Sequence, residues 1–339
     1  MSERQKIHPI TIIIVILFIV AGVTIIVLDW KEMRNVIGQA NWLLLLPALF
    51  FTAVSYLCLS VSFSVSFRAF GVNLQNKELM QIGFVSNVVT YLFNVGGMTG
   101  ITLQFILIKM REISSKDILA PSIFQLLFES LALVILLPFG LVSIMLSQQT
   151  SSHATVGLGI ATGILTVFII SGCFLVFVSP ARTWFLKLLT RIVHFFSHRN
   201  VQAGLNDFDN AMSRGTAVIA SRPSVLIILI ALTLFDWVSA LTALWFCFFA
   251  LGKVVGTSTL ITGFSLGITA GFISFIPGGL GVQEVSMAGI YSLLGVPLST
   301  AILASILFRI VYYFVPFLVS LRFYHRLLRN KPDINHTVT

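Results

Sequence analysis

The sequence predicts an all-α polytopic membrane protein, and three observations lead to that fold class. Of the 339 residues, 57% are hydrophobic and only 10% are charged, and the mean hydropathy is +0.99, whereas a soluble domain carries about a quarter charged residues. Apolar runs of about 20 residues, the length of a membrane-crossing helix, recur along the whole chain. Two further apolar runs are broken by glycines, which predicts helices that enter the membrane and turn back.

Six of the apolar runs are each long enough for one full transmembrane helix. In chain order they are Pro9–Leu28, Trp42–Phe67, Leu119–Leu146, Val156–Val178, Pro223–Ala250 and Leu298–Leu321. The first run has no small-residue cleavage site at its end, so we expect a retained helix rather than a signal peptide.

Two longer apolar runs predict re-entrant helical hairpins. Leu79–Ile108 is interrupted by GGMTG at 96–100, and the run 259–294 is interrupted by PGGLG at 277–281. Glycine permits a tight turn, and proline ends the helix before it. About 30 residues make two half-helices of roughly 20 Å each, and neither crosses a core of about 30 Å alone. The alternative for each break is a tight loop at the membrane surface.

The distribution of basic residues predicts the orientation. The two chain ends, the loops 68–77 and 109–116 and the stretch 179–222 are basic, whereas the loop 147–155 has neither Lys nor Arg. Basic segments stay in the cytoplasm, and these segments agree only if both broken runs turn back. We therefore expect a multi-pass protein of the plasma membrane with both termini cytoplasmic.

This topology makes residues 1–339 a single membrane domain of two inverted halves, 1–150 and 151–330. Each half runs span, span, hairpin, span, and the two halves start on opposite sides. The strings Leu-Phe-Glu129 and Leu-Phe-Arg309 occupy equivalent places in the span after each hairpin. Inverted repeats with broken helices near the midplane are typical of secondary transporters, although six-span proteins also show such symmetry by chance.

The second break is a candidate binding site. Gly278, Gly279 and Gly281 leave backbone groups free at membrane depth, which is tolerated only against protein or a water-filled cavity. The half-helix after the break points its positive end there and can hold an anion such as a lipid phosphate. Arg309 offers a planar guanidinium for the same anion. Glu284 can cap the half-helix, position Arg309 or carry a proton.

Polar residues also surround the first break. Asn87, Asn94 and Gln104 are polar and lie around the break, which contains the candidate site residues Gly96 and Gly97. Polar side chains at this depth either form hydrogen bonds between helices or line a substrate path, and the sequence leaves both roles open.

Two carboxylates fall in the middle of spans. Glu129 and Asp236 would each be costly against lipid, so each should face the interior. Glu129 can pair with Arg309 across the axis between the halves, or Arg309 can pair with Glu284. Either pair can be a purely structural salt bridge, whereas in an ion-coupled transporter Glu129, Asp236 or Glu284 can carry the proton.

The stretch 179–222 is basic and, in its first half, amphipathic. Lys187 and Arg191 share one helical side with His194 and His198, which suits a helix in the headgroup layer. The two histidines have metal-ligand spacing but no acidic or cysteine partner nearby, so we expect no metal and no cofactor. Basic loops explain the net charge of +9, so we expect no nucleic-acid partner.

These motifs resemble those of the membrane domain of the lysylphosphatidylglycerol synthase/flippase family. PGGLGVQE at 277–284, followed by Gly295-Val296 and by Arg309 in the last span, resembles the second glycine-rich motif of the family, and NVGGMTG at 94–100 resembles the first. The resemblance covers nearly the whole chain. Many members carry an arginine shortly after the first glycine cluster, where this sequence has Gln104.

The resemblance implies movement of a phospholipid or a polyprenyl-phosphate-type lipid between leaflets. Two-part members attach lysine to phosphatidylglycerol with a soluble aminoacyl transferase domain that follows the membrane part. This sequence ends at Thr339, shortly after the last span, so we expect no such domain and no enzyme. The sequence has no GxxxxGK[ST] motif, so a translocator would be a scramblase or ion-coupled.

Two other classes stay open. A lipid-headgroup enzyme such as a phosphatidylglycerol lysyltransferase needs a catalytic constellation, and the sequence has no HExxH motif and no mid-span histidine. A non-transporting scaffold would dock a lipid or glycan synthase on the stretch 179–199. A wet polar cavity between the hairpins would favour the translocator, and a dry, tight pair the scaffold. The sequence does not decide whether the protein is a homo-oligomer.

Overall fold

The structure, a computed structural model, describes residues 30–93, 98–147, 152–197, 202–274 and 276–329. Within these ranges the chain forms thirteen α-helices and no β-strand, so the all-α prediction is confirmed. The helices are α1 (Trp30–Gln39), α2 (Leu45–Ala69), α3 (Asn76–Phe93), α4 (Met98–Lys109), α5 (Ser115–Ser147), α6 (Ser152–Phe177), α7 (Ser179–Ser197), α8 (Gln202–Ser221), α9 (Pro223–Ala250), α10 (Thr257–Ile273), α11 (Val282–Leu293), α12 (Leu298–Arg309) and α13 (Val315–Arg329).

Four helices of the described chain are long and apolar enough to cross a membrane. They are Trp42–Ala69, Asp117–Gly140, Pro223–Ala250 and Leu298–Arg329. The expected span Val156–Val178 lies largely in α6. Thr162–Phe177 of α6 and Ser179–Arg191 of α7 qualify together as a pair bent by 103°. The expected span Pro9–Leu28 lies outside the described residues. The polytopic class is confirmed, and the count of six spans stays a prediction.

α2 and α9 form the central antiparallel pair. Asn41 N–H donates to the carbonyl of Ala250 at 2.8 Å at one end, and Arg222 Nη1 donates to that of Ala69 at 3.3 Å at the other. Small residues are common on the buried faces of both helices, and small residues let apolar helices approach closely in a membrane. They include Ala48, Thr52, Ser55, Ser60 and Ser62 on α2, and Ser239, Ala240, Ala243, Cys247 and Ala250 on α9.

α10 and α11 pack side by side as a hairpin because glycines of α10 make room for large side chains of α11. A Cβ added to Gly263 would lie 2.2 Å from Cε1 of Tyr291, and a Cβ added to Gly267 would lie 2.1 Å from Cγ of Met287. The contacts run in opposite directions along the two helices, so the hairpin is antiparallel.

α3 and α4 pack against each other in the same way. A Cβ added to Gly100 would lie 1.6 Å from Oγ1 of Thr90, so glycine is needed where α4 begins. α4 and α11 have 12 residues each, about 18 Å of helix, which is short of a bilayer core of about 30 Å. The short second arms fit the helical hairpins that the sequence predicts, and their re-entry into the membrane stays a prediction.

Each hairpin packs against the span that follows the other hairpin. α10 lies on α5, and α3 lies on α13. A Cβ added to Gly140 in α5 would lie 2.6 Å from Oγ1 of Thr262 in α10, and Phe84 of α3 meets Phe323 of α13 edge-on with ring centroids 5.4 Å apart. Reciprocal packing is expected of two inverted halves, and the division at residue 150 stays a prediction.

The basic stretch 179–222 forms two helices, α7 and α8. Buried Arg182 joins them, since its Nε donates to Oδ1 of Asp209 at 2.5 Å. Trp184 on α7 is 65% exposed, and the position of α7 in the headgroup layer stays a prediction. His198, one of the two histidines at metal-ligand spacing, lies outside the described residues.

We predict that Gly263→Ala lowers the stability of the second hairpin by about 1–3 kcal/mol, because the added methyl group overlaps the buried ring of Tyr291. Gly289→Ala on the facing helix is the matched control, since nothing lies within 4 Å of its Cβ position. Thermal unfolding of both purified variants in detergent, followed by intrinsic fluorescence, measures the difference. Equal melting temperatures for the two variants would contradict the close packing.

Candidate functional site at the hairpin tips

Three glycines in left-handed conformations build the second break. Gly278, Gly279 and Gly281 have φ angles of 65°, 58° and 81°, which residues with side chains rarely adopt. Gly279 N–H bonds to the carbonyl of Ile276 at 2.8 Å and closes a short 3-10 turn. A Cβ added to Gly278 would lie 2.1 Å from the carbonyl oxygen of Leu92 at the end of α3. The tip of the second hairpin therefore touches the first hairpin backbone to backbone.

Glu284 caps the half-helix that follows the break. Its Oε2 accepts the N–H of Gly281 at 2.8 Å, and a carboxylate in this first turn also meets the positive end of the helix dipole. Its Oε1 forms an ion pair with Nη1 of Arg309. Of the two pairings that the sequence leaves open for Arg309, the structure contains this one. Glu129 instead accepts a hydrogen bond from Nε2 of Gln125 at 3.2 Å.

Arg309 binds the carbonyl side of the break. Its Nη2 donates to the carbonyl of Gly278, and its Cζ lies 5.4 Å from the ring centroid of Tyr313, a cation–π contact. The side chains of Arg309 and Glu284 are only 13% and 14% exposed. Within the described residues Nε of Arg309 has no hydrogen-bond partner, so the guanidinium keeps a donor that is not used by the protein.

A π-helical turn, Ile310–Phe314, follows Arg309 directly, and such turns recur at functional sites. It turns both Tyr312 and Tyr313 toward the interior, where they are 3% and 2% exposed. Tyr313 OH accepts a hydrogen bond from Nε2 of Gln283 at 2.8 Å. The ring of Tyr91 from α3 stacks on that of Tyr313 with centroids 5.8 Å apart. An aromatic layer thus connects the two hairpins beside the ion pair.

A cavity of about 20 Å³ lies where the hairpins meet. Its walls include Tyr91, Gly279, Gln283 and Tyr313, and its volume suits about one water molecule. The tip of the second hairpin is therefore closely packed against the end of α3 in this conformation.

Asp236 lies 2% exposed in the middle of α9, and its partners are hydroxyl groups. Ser55 Oγ of α2 donates to Oδ1 of Asp236, and Tyr312 OH lies 3.5 Å from the same oxygen. No Lys or Arg in the described part of the chain forms an ion pair with Asp236. A buried carboxyl with such partners can exchange hydrogen-bond donor and acceptor roles when it gains or loses a proton.

The structure brings together five of the residues that the sequence proposes for the site. These are Gly278, Gly279, Gly281, Glu284 and Arg309. Gln104 is buried on α4 at 4% exposure, and within the described part of the chain it forms no hydrogen bond with these five residues. Asn94, Gly96 and Gly97 lie outside the described residues. Substrate binding by any of these residues stays a prediction.

Sequence reasoning missed Ser55, Tyr91 and Gln283, which contact Asp236, Tyr312 or Tyr313. Their signal is a polar residue inside an apolar run. That signal is weak, because many buried serines bond only to their own helix, as Ser60 does to Tyr56 O at 2.6 Å.

The string GFSLG at 263–267 matches the GxSxG pattern of serine hydrolases. In those enzymes the serine stands exposed on a sharp strand-to-helix turn. Here Ser265 is buried within α10, and its Oγ lies 3.3 Å from the carbonyl oxygen of Thr262. The string therefore serves helix packing in α10.

Fold and site define the class: a multi-pass, all-α membrane protein whose broken helical hairpins meet at an arginine–glutamate pair. The sequence profile described as the lysylphosphatidylglycerol synthase TM region matches residues 12–320, and the chain belongs to this family.

The chain is similar to lysyltransferases over a short segment. The phosphatidylglycerol lysyltransferase of Staphylococcus aureus is 34% identical over 86 residues, which are 25% of this chain and 10% of the relative. That of Staphylococcus haemolyticus is 38% identical over 88 residues, 26% of this chain and 10% of the relative. The matched segment is thus about a tenth of each relative's length.

We predict that Arg309→Met and Glu284→Gln each lower the unfolding free energy by about 3–5 kcal/mol, because each leaves a buried partner without its counter-charge. The double variant should recover part of that loss, since it removes both charges. The measurement is a double-mutant cycle. The unfolding free energies of wild type, the two single variants and the double variant are determined in mixed detergent with increasing dodecyl sulfate. Losses that simply add in the double variant would show that the two side chains act independently.

Proposed function

We propose that this protein translocates an anionic, phosphate-bearing lipid, a phospholipid or a polyprenyl phosphate, between the leaflets of the cell membrane. The observation that carries the proposal is the guanidinium of Arg309, which lies inside a candidate span directly before the π-helical turn and has one donor that no described residue accepts. An arginine at this depth is costly unless it pairs or serves a polar substrate.

A phosphate fits the groups around Arg309. The planar guanidinium presents donors in pairs, a geometry that matches phosphate oxygens. The N-terminus of α11 points its N–H groups toward the same break, and helix N-termini attract anions. In the proposed step the phosphate replaces the carboxylate of Glu284 at Arg309, while Glu284 keeps its hydrogen bond to Gly281.

Translocation requires the tip of the second hairpin to separate from the end of α3, because the cavity of about 20 Å³ between them is too small for a headgroup. The structure is then a closed conformation, and lipid binding favours a minor open one. The headgroup passes between the tips, while the acyl chains stay in the bilayer.

Asp236 is our candidate for the group that couples translocation to protons. It is buried, its hydrogen-bond partners among the described residues are hydroxyl groups, and it lies within the layer of Tyr56, Tyr91 and Tyr312 beside the ion pair. Glu129 and Glu284 are the alternative carriers. Protonation of Asp236 would change its hydrogen bonds to α2 and to the π-helical turn, the elements next to the hairpin tips.

A scaffold for a lipid or glycan synthase is the second candidate function. Two observations favour it: the close packing of the tips and the exposed apolar residues Trp184 and Leu188 on α7 beside basic Lys187 and Arg191. The name phosphatidylglycerol lysyltransferase belongs to relatives that match a quarter of this chain, and we do not propose that activity here.

We predict that proteoliposomes containing the protein move fluorescent phosphatidylglycerol or a fluorescent polyprenyl phosphate between leaflets, measured by dithionite quenching. Arg309→Lys should slow this at least about tenfold, because it keeps the charge and loses the paired donors. Arg322→Lys, at an exposed site on α13, is the matched control and should retain the wild-type rate.

Absence of translocation of both lipids by well-folded wild-type protein would overturn the proposal and favour the scaffold. Equal rates in wild type and in Arg309→Lys would remove Arg309 from the substrate path.

We also predict that a proton gradient accelerates translocation and that Asp236→Asn abolishes this acceleration, since asparagine cannot exchange a proton. Ser239→Ala, one turn further along the buried face of α9, removes only a bond to the helix's own Phe235 carbonyl and should respond like wild type. An Asp236→Asn protein that still responds to the gradient would exclude Asp236 as the carrier.

A further inference from the structure

Away from the hairpin tips, α2, α3 and α13 enclose an apolar groove of about 560 Å³. Its walls are mainly apolar and include Leu49, Ala53, Phe84, Val319 and Phe323. The volume lies within the range of about 300–1,000 Å³ typical of ligand pockets. A groove of this kind between membrane helices accommodates hydrocarbon.

A polar pocket of about 400 Å³ adjoins this groove at the end of the bundle where α3 begins and α13 ends. Lys77 and Gln81 line both spaces, so groove and pocket share a wall. The pocket is also lined by Glu78, Arg111 and Arg326. An apolar groove continuous with a basic pocket matches a molecule that has a hydrocarbon part and an anionic part.

Arg111 is already used by the protein. Its Nε pairs with Oε1 of Glu78 at 2.5 Å, its Nη1 bonds to the carbonyl of Leu107 at 2.6 Å, and its Nη2 to that of Leu327 at 3.3 Å. This pairing neutralises Glu78. Lys77 and Arg326 pair with no carboxylate in the described chain, so two positive charges face the pocket without a counter-ion.

We infer that this composite site binds an anionic membrane lipid, with the phosphate between Lys77 and Arg326 and an acyl chain in the groove. The basic pocket is complementary to a phosphate and the adjoining groove to an acyl chain, so a lipid is the molecule that fits both. Two other occupants fit less well. A free phosphate would leave the apolar groove empty. An apolar helix from another protein would cover two unpaired cations with an apolar surface, and such desolvation of charges is costly. Because this end of the bundle is basic, the lipid comes from the cytoplasmic leaflet.

The groove lies next to the aromatic residues of the candidate site at Arg309. Tyr56 lines the groove, and its ring lies 5.4 Å from that of Tyr312 and 6.1 Å from that of Tyr91. The side chain of Tyr56 thus connects the groove with the aromatic rings beside Arg309. Lipid binding here stands by itself, whereas the role of the site as the loading position for translocation rests on the proposed function.

The test measures lipid binding directly. Delipidated full-length protein in detergent is titrated with phosphatidylglycerol and, separately, with phosphatidylcholine, and bound lipid is counted by native mass spectrometry. Lys77→Gln/Arg326→Gln should weaken phosphatidylglycerol binding about tenfold or more, because each basic residue near the membrane surface contributes to anionic-lipid affinity. Lys109→Gln/Arg329→Gln removes two exposed charges that do not line the pocket and should bind like wild type.

The groove is tested separately by Ala53→Trp, which fills it from an exposed position on α2. Binding of both lipids should fall, because their tails are alike. Leu46→Trp, exposed on the same helix outside the groove, should leave binding unchanged. Circular dichroism and melting temperature verify that each variant is folded.

Equal loss of phosphatidylglycerol binding in the two double variants, or unchanged binding in Ala53→Trp, would overturn the composite site. The same assay on Arg309→Lys separates this inference from the proposed function. If Arg309→Lys still binds phosphatidylglycerol and Lys77→Gln/Arg326→Gln does not, the composite site is supported. This holds even if proteoliposomes show no translocation. If the wild-type protein translocates lipid but Lys77→Gln/Arg326→Gln binds phosphatidylglycerol as well as wild type does, the composite site is overturned and the proposed function is not.

Discussion

The requirement that every backbone polar group be satisfied inside a membrane governs this structure. A break in a helix frees N–H groups on one side and carbonyls on the other, and lipid offers no partner for either. At the second hairpin the carboxylate of Glu284 accepts the freed N–H of Gly281, and the guanidinium of Arg309 donates to the freed carbonyl of Gly278. Because the two side chains also pair with each other, one ion pair closes both sides of the break.

Under the proposed function, this arrangement links substrate binding to backbone structure. A phosphate that binds Arg309 would compete with the groups that now hold the break closed, so binding would weaken the contacts between the second hairpin and α3. The structural role of the Arg309–Glu284 pair and its proposed functional role are therefore compatible, since the pair closes the break in this structure and is the contact that a bound anion would displace. The π-helical turn beside it supports the same site, because Tyr56 satisfies the Tyr312 carbonyl there.

Composition and spacing were enough to predict helices, breaks and buried charges. Apolar runs locate the long apolar helices, of which four to five of the described ones are long enough to cross a membrane. PGGLG at 277–281 marks a turn that favours glycine, and Glu284 lies where a first-turn cap belongs. The partner of Arg309 was not predictable, because Glu129 and Glu284 are equally suitable carboxylates until the helices are placed. Tyr91 was missed for the same reason: its role depends on stacking with Tyr313, more than 200 positions away. Local patterns carry no information about such contacts.

The exchange of partners between the hairpins has a consequence for biogenesis. The first hairpin is synthesised early, but α3 rests on α13, the last helix that the structure describes. During translation this surface of α3 stays covered by lipid or by the insertion machinery until α13 has been synthesised. A polypeptide that is terminated before α13 therefore keeps the contact between α5 and α10 but lacks the contact between α3 and α13.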